Sequence, residues 1–370
     1  MKTRIERGEL LAELVAMRGI VESRSTIPVL SHLLLRVREN RLELAATDLD
    51  VSLTSSCAAE EGASEPGATA VQARKLLEIV RALGDGPVEL SAGESNSLHI
   101  VAGSSRFRIN GLSPEDFPTL TSVDPDSASA SFEVPFADFK RMISKVIFAV
   151  SAEESRFQLN GALLKLKEGA VELVATDGHR LALIEVEMSG VTEADGVLAP
   201  RKALLELLRF DSDENVTFRR GEHHLAFVIG RRELTCRILE GTFPDYEKVI
   251  SQDNDRKASF ARHELAEVVH RVALLTGDRA PMVRFRFDAQ SLLVSSSNPD
   301  LGEAEESLEC DYEAENLEIG MNPAYVRDFL GAVDTDRVEF ALKDENSQCL
   351  GHPVDGADSR YLCVIMPMRI

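Results

Sequence analysis

The organisation of this chain can be read outward from one run, Val174-Ala175-Thr176-Asp177-Gly178-His179-Arg180-Leu181-Ala182-Leu183. It closes an alternating segment, Ala170-Val171-Glu172-Leu173, whose apolar and polar positions predict a half-buried strand. Asp177 and Gly178 then mark a tight turn, and Leu181-Ala182-Leu183 is a short apolar return. The same pattern stands earlier as Arg41-Leu42-Glu43-Leu44-Ala45-Ala46-Thr47-Asp48. It stands again later, worn down, as Ser291-Leu292-Leu293-Val294-Ser295-Ser296-Ser297-Asn298. Three copies predict three repeated domains.

Other landmarks keep the same order. An apolar residue is followed five positions later by the first residue of a predicted amphipathic helix at Ile5 and Leu10, Val134 and Phe139, and Phe260 and Leu265. Apolar residues continue at helical spacing: Leu11, Leu14 and Val15; Met142, Ile143, Val146 and Ile147; Val268, Val269 and Val272. A second helix is predicted at Arg74-Lys75-Leu76-Leu77, Arg201-Lys202-Ala203-Leu204 and Pro323-Ala324-Tyr325-Val326. Each repeat ends in a proline-bearing strand-like stretch: Phe117-Pro118, Phe243-Pro244, Met366-Pro367. Polar stretches at 122–129 and 251–256 read as linkers. These signals predict domains at 1–124, 130–251 and 256–370. The class is α+β, an antiparallel sheet with two helices laid on one face in each domain.

At 370 residues and 44% hydrophobic, the chain can bury several ordinary cores. No apolar run approaches the roughly 20 residues that span a bilayer, and Met1–Glu6 lacks a signal-peptide segment. The five cysteines are scattered, odd in number and without metal-type spacing. The expectation is a reduced, soluble, cytoplasmic protein without metal or cofactor. The net charge of −21 argues alone against a nucleic-acid partner. Its distribution argues otherwise: residues 70–83, 134–150 and 197–210 each carry a net +2, leaving −27 for the remainder. In the second segment Lys140, Arg141 and Lys145 fall between the apolar positions, which predicts that they lie on the exposed face. Acid outside and base on equivalent helices suits a body that surrounds a polyanion.

Catalytic signatures are missing. The chain has no Walker or Rossmann glycine pattern, no nucleophile elbow and no metal-binding pair on a helix. Asp177 beside His179 is the one acid–base pair to weigh, and nothing orients it toward a nucleophile. His223-His224 reads as a solvated turn. A binder is expected rather than an enzyme.

With the repeats laid out, Ala175–Leu183, Gly241-Thr242-Phe243-Pro244-Asp245-Tyr246 and Val364-Ile365-Met366-Pro367-Met368-Arg369-Ile370 together resemble the bacterial sliding clamp, the beta subunit of DNA polymerase III. Ser25-Thr26-Ile27-Pro28-Val29-Leu30 and Ala46-Thr47-Asp48-Leu49-Asp50 support the resemblance, which runs the whole length in order. It implies a homodimeric, head-to-tail ring around double-stranded DNA, held topologically and without sequence preference. Such a ring tethers the replicative polymerase and is opened by a clamp loader. It meets repair polymerases, ligase or mismatch-repair proteins through short linear motifs, in a cytoplasmic, nucleoid-associated setting.

The resemblance also implies the site residues. DNA contacts would be Arg24, Arg74, Glu153, Phe157 and Gln158, although Glu153 and Glu154 add negative charge to that loop. The partner-peptide pocket would take Leu159, Thr176, Gly178, His179, Arg180, Leu181, Pro244 and Val249 from the second domain. From the third it would take Asn322, Tyr325, Val364, Met366, Pro367, Met368, Arg369 and Ile370. Methionine and proline make an adaptable apolar slot; Arg180 and Asn322 would fix the peptide's polar groups, and one of Met366 and Met368 would lie partly in the core. Leu274 and Leu275 would meet the second subunit. Residues 348–353 depart from the family pattern at one rim of the pocket. The alternatives are a specialised paralogue or decoy scaffold that keeps the ring but has lost polymerase binding, and an enzyme using Asp177 and His179. Peptide binding separates the first from a working clamp, and a hydrolase screen with His179→Ala separates the second.

Overall fold

A computed structural model describes residues 1–21, 26–62, 64–251, 253–277, 280–354 and 359–370. Six α-helices are present among them, two in each repeat: α1 Arg7–Met17, α2 Ala73–Ala82, α3 Phe136–Val146, α4 Arg201–Leu208, α5 Arg262–Ala273 and α6 Pro323–Ala332. α1, α3 and α5 begin three residues before the positions predicted from spacing, whereas α2, α4 and α6 begin within one residue of theirs. Ile5, Val134 and Phe260 are the last residues but one of their strands, and the chain turns into helix at once after Glu6, Pro135 and Ala261. Leu10, Phe139 and Leu265 are core-facing positions one turn further in, all fully buried. In α2 the buried residues Ala73, Leu76, Leu77 and Val80 form one stripe, leaving Arg74, Lys75 and Arg81 outside. At α6 the Asn322 side chain accepts from the Ala324 N–H and Pro323 takes the first helical position.

The chain divides into two compact units that cut across the repeats. The N-terminal unit comprises 1–140 and 202–238, and the C-terminal unit 141–201 and 239–370. Each is built on a nine-stranded antiparallel sheet sewn from two repeats. In the N-terminal unit Val51–Ala58 pairs with Arg232–Arg237; in the C-terminal unit Arg180–Glu187 pairs with Ser359–Ile365. Each unit also carries a four-stranded sheet with an open edge. Those edges are Ser105–Ile109, outermost beside Leu98–Ala102, and Gly302–Glu309, outermost beside Ser291–Asn298.

Three expectations from periodicity are corrected. Ala170–Thr176 is buried along its whole length rather than half-buried. It is an inner strand of its sheet, and its polar member Glu172 is held by Lys167 and Tyr246. In α1 the buried stripe is Leu10, Glu13, Leu14 and Met17, while Val15 is 47% exposed. Glu13 replaces Val15 in the core because Arg231, Arg232 and Ser55 receive its carboxylate there. Lys145 is buried rather than solvated: its ammonium donates to the Ala332 carbonyl, pairs with Asp334 at 2.7 Å and faces the Tyr361 ring at 5.6 Å. Burial holds its pKa below the usual lysine value despite Asp334. Of the His223-His224 pair only His223 is solvated, since His224 opens a strand.

Candidate partner-binding and nucleic-acid interfaces

The turn at 176–180 is fixed by its own side chains. Asp177 accepts from the N–H groups of His179 and Arg180, Thr176 Oγ1 donates to the Arg180 carbonyl and accepts from Gly178 N–H. Gly178 has φ +89°, and a Cβ there would come within 3.0 Å of Arg156 Nη1, so glycine suits both the backbone and the packing. Arg156 donates to the Asp177 carbonyl at 3.1 Å. The loop carrying Glu153, Phe157 and Gln158 is thereby tied to the turn.

Arg180 is a clasp rather than a free hand for a ligand. Nε reaches Asp177 at 3.1 Å, Nη1 reaches Asp328 at 2.5 Å and Nη2 donates to the Phe148 carbonyl at 2.5 Å. Its guanidinium lies 4.4 Å from the Tyr325 ring centre and 5.2 Å from that of Phe148. Asn322 likewise spends its carbonyl oxygen on the cap of α6. Phe148 and Asp328 were not expected; Asp328 lies three residues beyond Tyr325 on α6, which puts the two on one helix face.

From strand Ser359–Ile365 the tail continues the join: Met366 N–H donates to the His179 carbonyl, and Met368 N–H to that of Gly320. A Cβ at Gly320 would meet Met368 O at 2.8 Å, Met282 Sδ at 2.9 Å and Ile370 Cγ1 at 3.2 Å. The missing side chain is what lets the tail lie down. Met366 is 39% and Ile370 53% exposed, Arg369 is exposed and Pro367 and Met368 are half-buried. Neither Met366 nor Met368 enters the core, and Met368 is the more covered. Leu159, Thr176, Leu181 and Val364 are buried beneath; Gly178, His179, Pro244 and Val249 stand exposed around them. Most of the candidate pocket residues thus gather at one join, a buried apolar floor with conformationally adaptable methionine side chains toward its lip.

A second layer holds this place together. Tyr246 donates to buried Glu172 at 2.5 Å, and Lys167 binds both Glu172, at 2.7 Å, and Glu185. Burial first, and then the bond to Glu172, push the Tyr246 phenol well above its ordinary value. Burial alone would lower Lys167, yet its two carboxylate partners hold it high. This network anchors the arm that presents Pro244 and Val249. Gln348 donates to the Val249 carbonyl at 3.1 Å and Leu350 packs on the same apolar cluster, so the stretch that departs from the family pattern still supplies a wall.

The implied DNA contacts scatter more. Arg24 lies outside the described residues. Arg74 is exposed and pairs with Glu78 at 2.9 Å along α2. Phe157 is 57% exposed, with Gln158 against Gly241. Arg141 pairs with Asp334, whereas Arg201 is exposed on α4. Leu274 is 68% exposed at the end of α5, and Arg271 one turn earlier is paired with Glu306 of the open edge strand. Leu275 is half-buried. As for Asp177 and His179, the carboxylate is engaged by backbone N–H groups and Arg180; among the described residues no hydrogen bond joins it to the His179 ring.

Three like repeats joined strand to strand give the fold of a repeat-built clamp. Residues 1–121 match the DNA polymerase III beta subunit N-terminal domain, 133–245 its central domain and 247–369 its C-terminal domain. The chain is 37% identical over 369 residues to the beta sliding clamp of Pseudomonas aeruginosa, covering 99% of each, and 32% identical over 372 residues to that of Escherichia coli, covering 100% of each. A crystal structure of the DNA polymerase III subunit beta from Pseudomonas aeruginosa superposes with a TM-score of 0.94 at 36% identity, over 100% of each chain. One from Thermotoga maritima gives 0.92 at 28%, over 100% of this chain and 99% of the other. The chain belongs to the DNA polymerase III beta subunit family, the beta sliding clamps, which are processivity factors and not catalysts. No helix among the described residues is long and apolar enough to cross a membrane.

Proposed function

We propose that this chain closes with a second copy into a ring on duplex DNA and tethers the replicative polymerase there. The observation that carries this reading is a pattern of strand pairing. Within the chain, the last long strand of one repeat pairs with the fourth strand of its neighbour: Arg232–Arg237 with Val51–Ala58, and Ser359–Ile365 with Arg180–Glu187. By the repeat, Ser105–Ile109 and Gly302–Glu309 are the remaining members of those two sets, and both are open edges. Their charges are opposite. Arg106 and Arg108 face outward on one, and Glu303, Glu305, Glu306 and Glu309 line the other. Pairing them between copies, head to tail, completes the pattern and removes two exposed edges.

The DNA-facing residues are Arg74 and its counterparts on the inner helices, with Arg24, Glu153, Phe157 and Gln158 as further contacts; weak sequence-blind phosphate contacts permit sliding. Leu274 and Leu275 flank the closing joint. The recess between the 176–181 turn and the Met366–Ile370 tail takes short linear motifs of the polymerase, the clamp loader and repair proteins, in the cytoplasm with the nucleoid. The test is binding of a fluorescent peptide bearing a glutamine, a leucine and a terminal apolar pair, to the intact protein and to one ending at Ile365. Binding lost with the tail supports the pocket. Equal binding to both refutes it, and binding to neither points to a clamp that has given up this partner.

A further inference from the structure

Because the chain is a repeat, one unit displays what the other lacks. In the C-terminal unit, Lys165, Glu172 and Glu185 stand side by side across three strands, next to Leu163, Val174 and Leu183. The arm Phe243-Pro244-Asp245-Tyr246 crosses them, and Tyr246 fills the centre with its hydroxyl on Glu172. The N-terminal unit repeats this register with Arg36, Glu43 and Ser56 beside Leu34, Ala45 and Thr54. Its arm is Phe117-Pro118-Thr119-Leu120, so Leu120 stands where Tyr246 does. Leucine for tyrosine, Thr54 for Leu183 and Ser56 for Glu185 all remove volume at one place. A cavity of about 650 Å³ opens there, bordered by Leu34, Arg36, Glu43, Ala45, Ser56 and Phe117. Arg36 and Glu43 are both half-buried, and neither side chain has a hydrogen-bond or ion-pair partner among the described residues.

We propose that this cavity receives a tyrosine side chain presented by a partner protein, its hydroxyl donating to Glu43 and its ring lying on Leu34, Ala45 and Phe117. The chemistry selects that occupant. Glu43 repels an anion and Arg36 repels a cation, while the apolar floor favours a flat ring; a neutral donor on an aromatic body satisfies all three. The occupied counterpart, Tyr246 on Glu172, shows the same arrangement within the chain. A volume of this size exceeds a single ring and lies in the range of small-ligand pockets, leaving room for the flanking backbone.

The test uses the full chain and ligand-observed NMR titration with N-acetyl-tyrosinamide, N-acetyl-phenylalaninamide and the capped tripeptide Gly-Tyr-Gly. The tyrosine amide should bind at least tenfold more tightly than the phenylalanine amide, because a site built to pair a hydroxyl rejects the analogue lacking it. Glu43→Ala should abolish that difference. Leu120→Tyr, which supplies the phenol from the chain's own arm, should block binding at an unchanged thermal midpoint, and it carries the test if Glu43→Ala fails to fold. The tripeptide should bind at least as well as the amide, as a protein partner requires. Equal affinity for the two amides, undiminished binding to Leu120→Tyr, or a tripeptide weaker than the amide would each overturn the proposal.

Discussion

At Tyr246 a single oxygen holds the arm beside the candidate pocket. Tyr246→Phe leaves the Glu172 carboxylate buried with Lys167 alone and should cost about 1–3 kcal/mol in urea unfolding, with weaker peptide binding as the arm loosens; unchanged stability would mean that the arm is held elsewhere. Glu13 and Glu206 titrate in opposite senses. Burial would raise Glu13, but Arg232, Ser55 and Arg231 hold it below the ordinary 4.5. Its stabilising contribution is therefore complete above pH 4.5 and lost as pH falls through the lowered value. Glu13→Gln leaves two arginines facing a neutral group and should cost about 3 kcal/mol at pH 7, a penalty that shrinks in acid. Glu206 is buried with Oε2 unpartnered and Arg209 its ion-pair partner, and burial raises its pKa. Charge there opposes folding at neutral pH and is relieved as pH falls through the raised value. Glu206→Gln should accordingly stabilise by about 1 kcal/mol at pH 8, with the advantage fading toward acid in thermal scans. None of these three roles is legible in sequence. Glutamate in a helix reads as solvent-facing, and only its distant partners at 55, 231 and 232 make Glu13 a core residue.

At the level of strands and helices, periodicity told much of the fold: the six helices and the strands Arg41–Thr47, Ala170–Thr176 and Ser291–Asn298 follow from apolar spacing, whereas the proline-bearing stretches Phe117-Pro118, Phe243-Pro244 and Met366-Pro367 lie outside strands. It placed the first helix of each repeat three residues late because the strand there runs straight into the helix and the first core-facing residue comes only a turn further in. It misplaced Lys145 because a long side chain can bury its stem and still find a carbonyl and a carboxylate. The pocket residues were reached by resemblance, whereas Asp328, Phe148, Met282 and Gln348 become visible only once the strands are joined. The open edges make a sharper prediction. Reversing Arg106 and Arg108 to Glu should raise the dimer dissociation constant at least tenfold in sedimentation experiments, and reversing Glu303 and Glu305 to Lys in the same chain should restore it. Failure of the restoring pair would exclude these strands as the joint. Arg74→Ala should reduce the dependence of log affinity on log salt by about 0.9 for duplex DNA, leaving peptide affinity unchanged.

For the whole chain, a net charge of −21 is compatible with DNA only if retention does not rest on attraction. Complexes loaded on circular DNA should persist in salt that strips a groove-binding protein, and fall off when the circle is cut; equal persistence on linear and circular DNA would contradict encirclement. A further consequence follows from sheets sewn across repeat boundaries. The joints inside the chain and the joint proposed between copies use corresponding strands, so the covalent linkers at 122–129 and 251–256 do not themselves hold neighbours together. A chain cut at 122–129 should migrate as one particle under native conditions. The ring is then a count of six like parts rather than a count of polypeptides, and gene fusion or fission is free to divide six as two threes or three twos without redesigning a single interface.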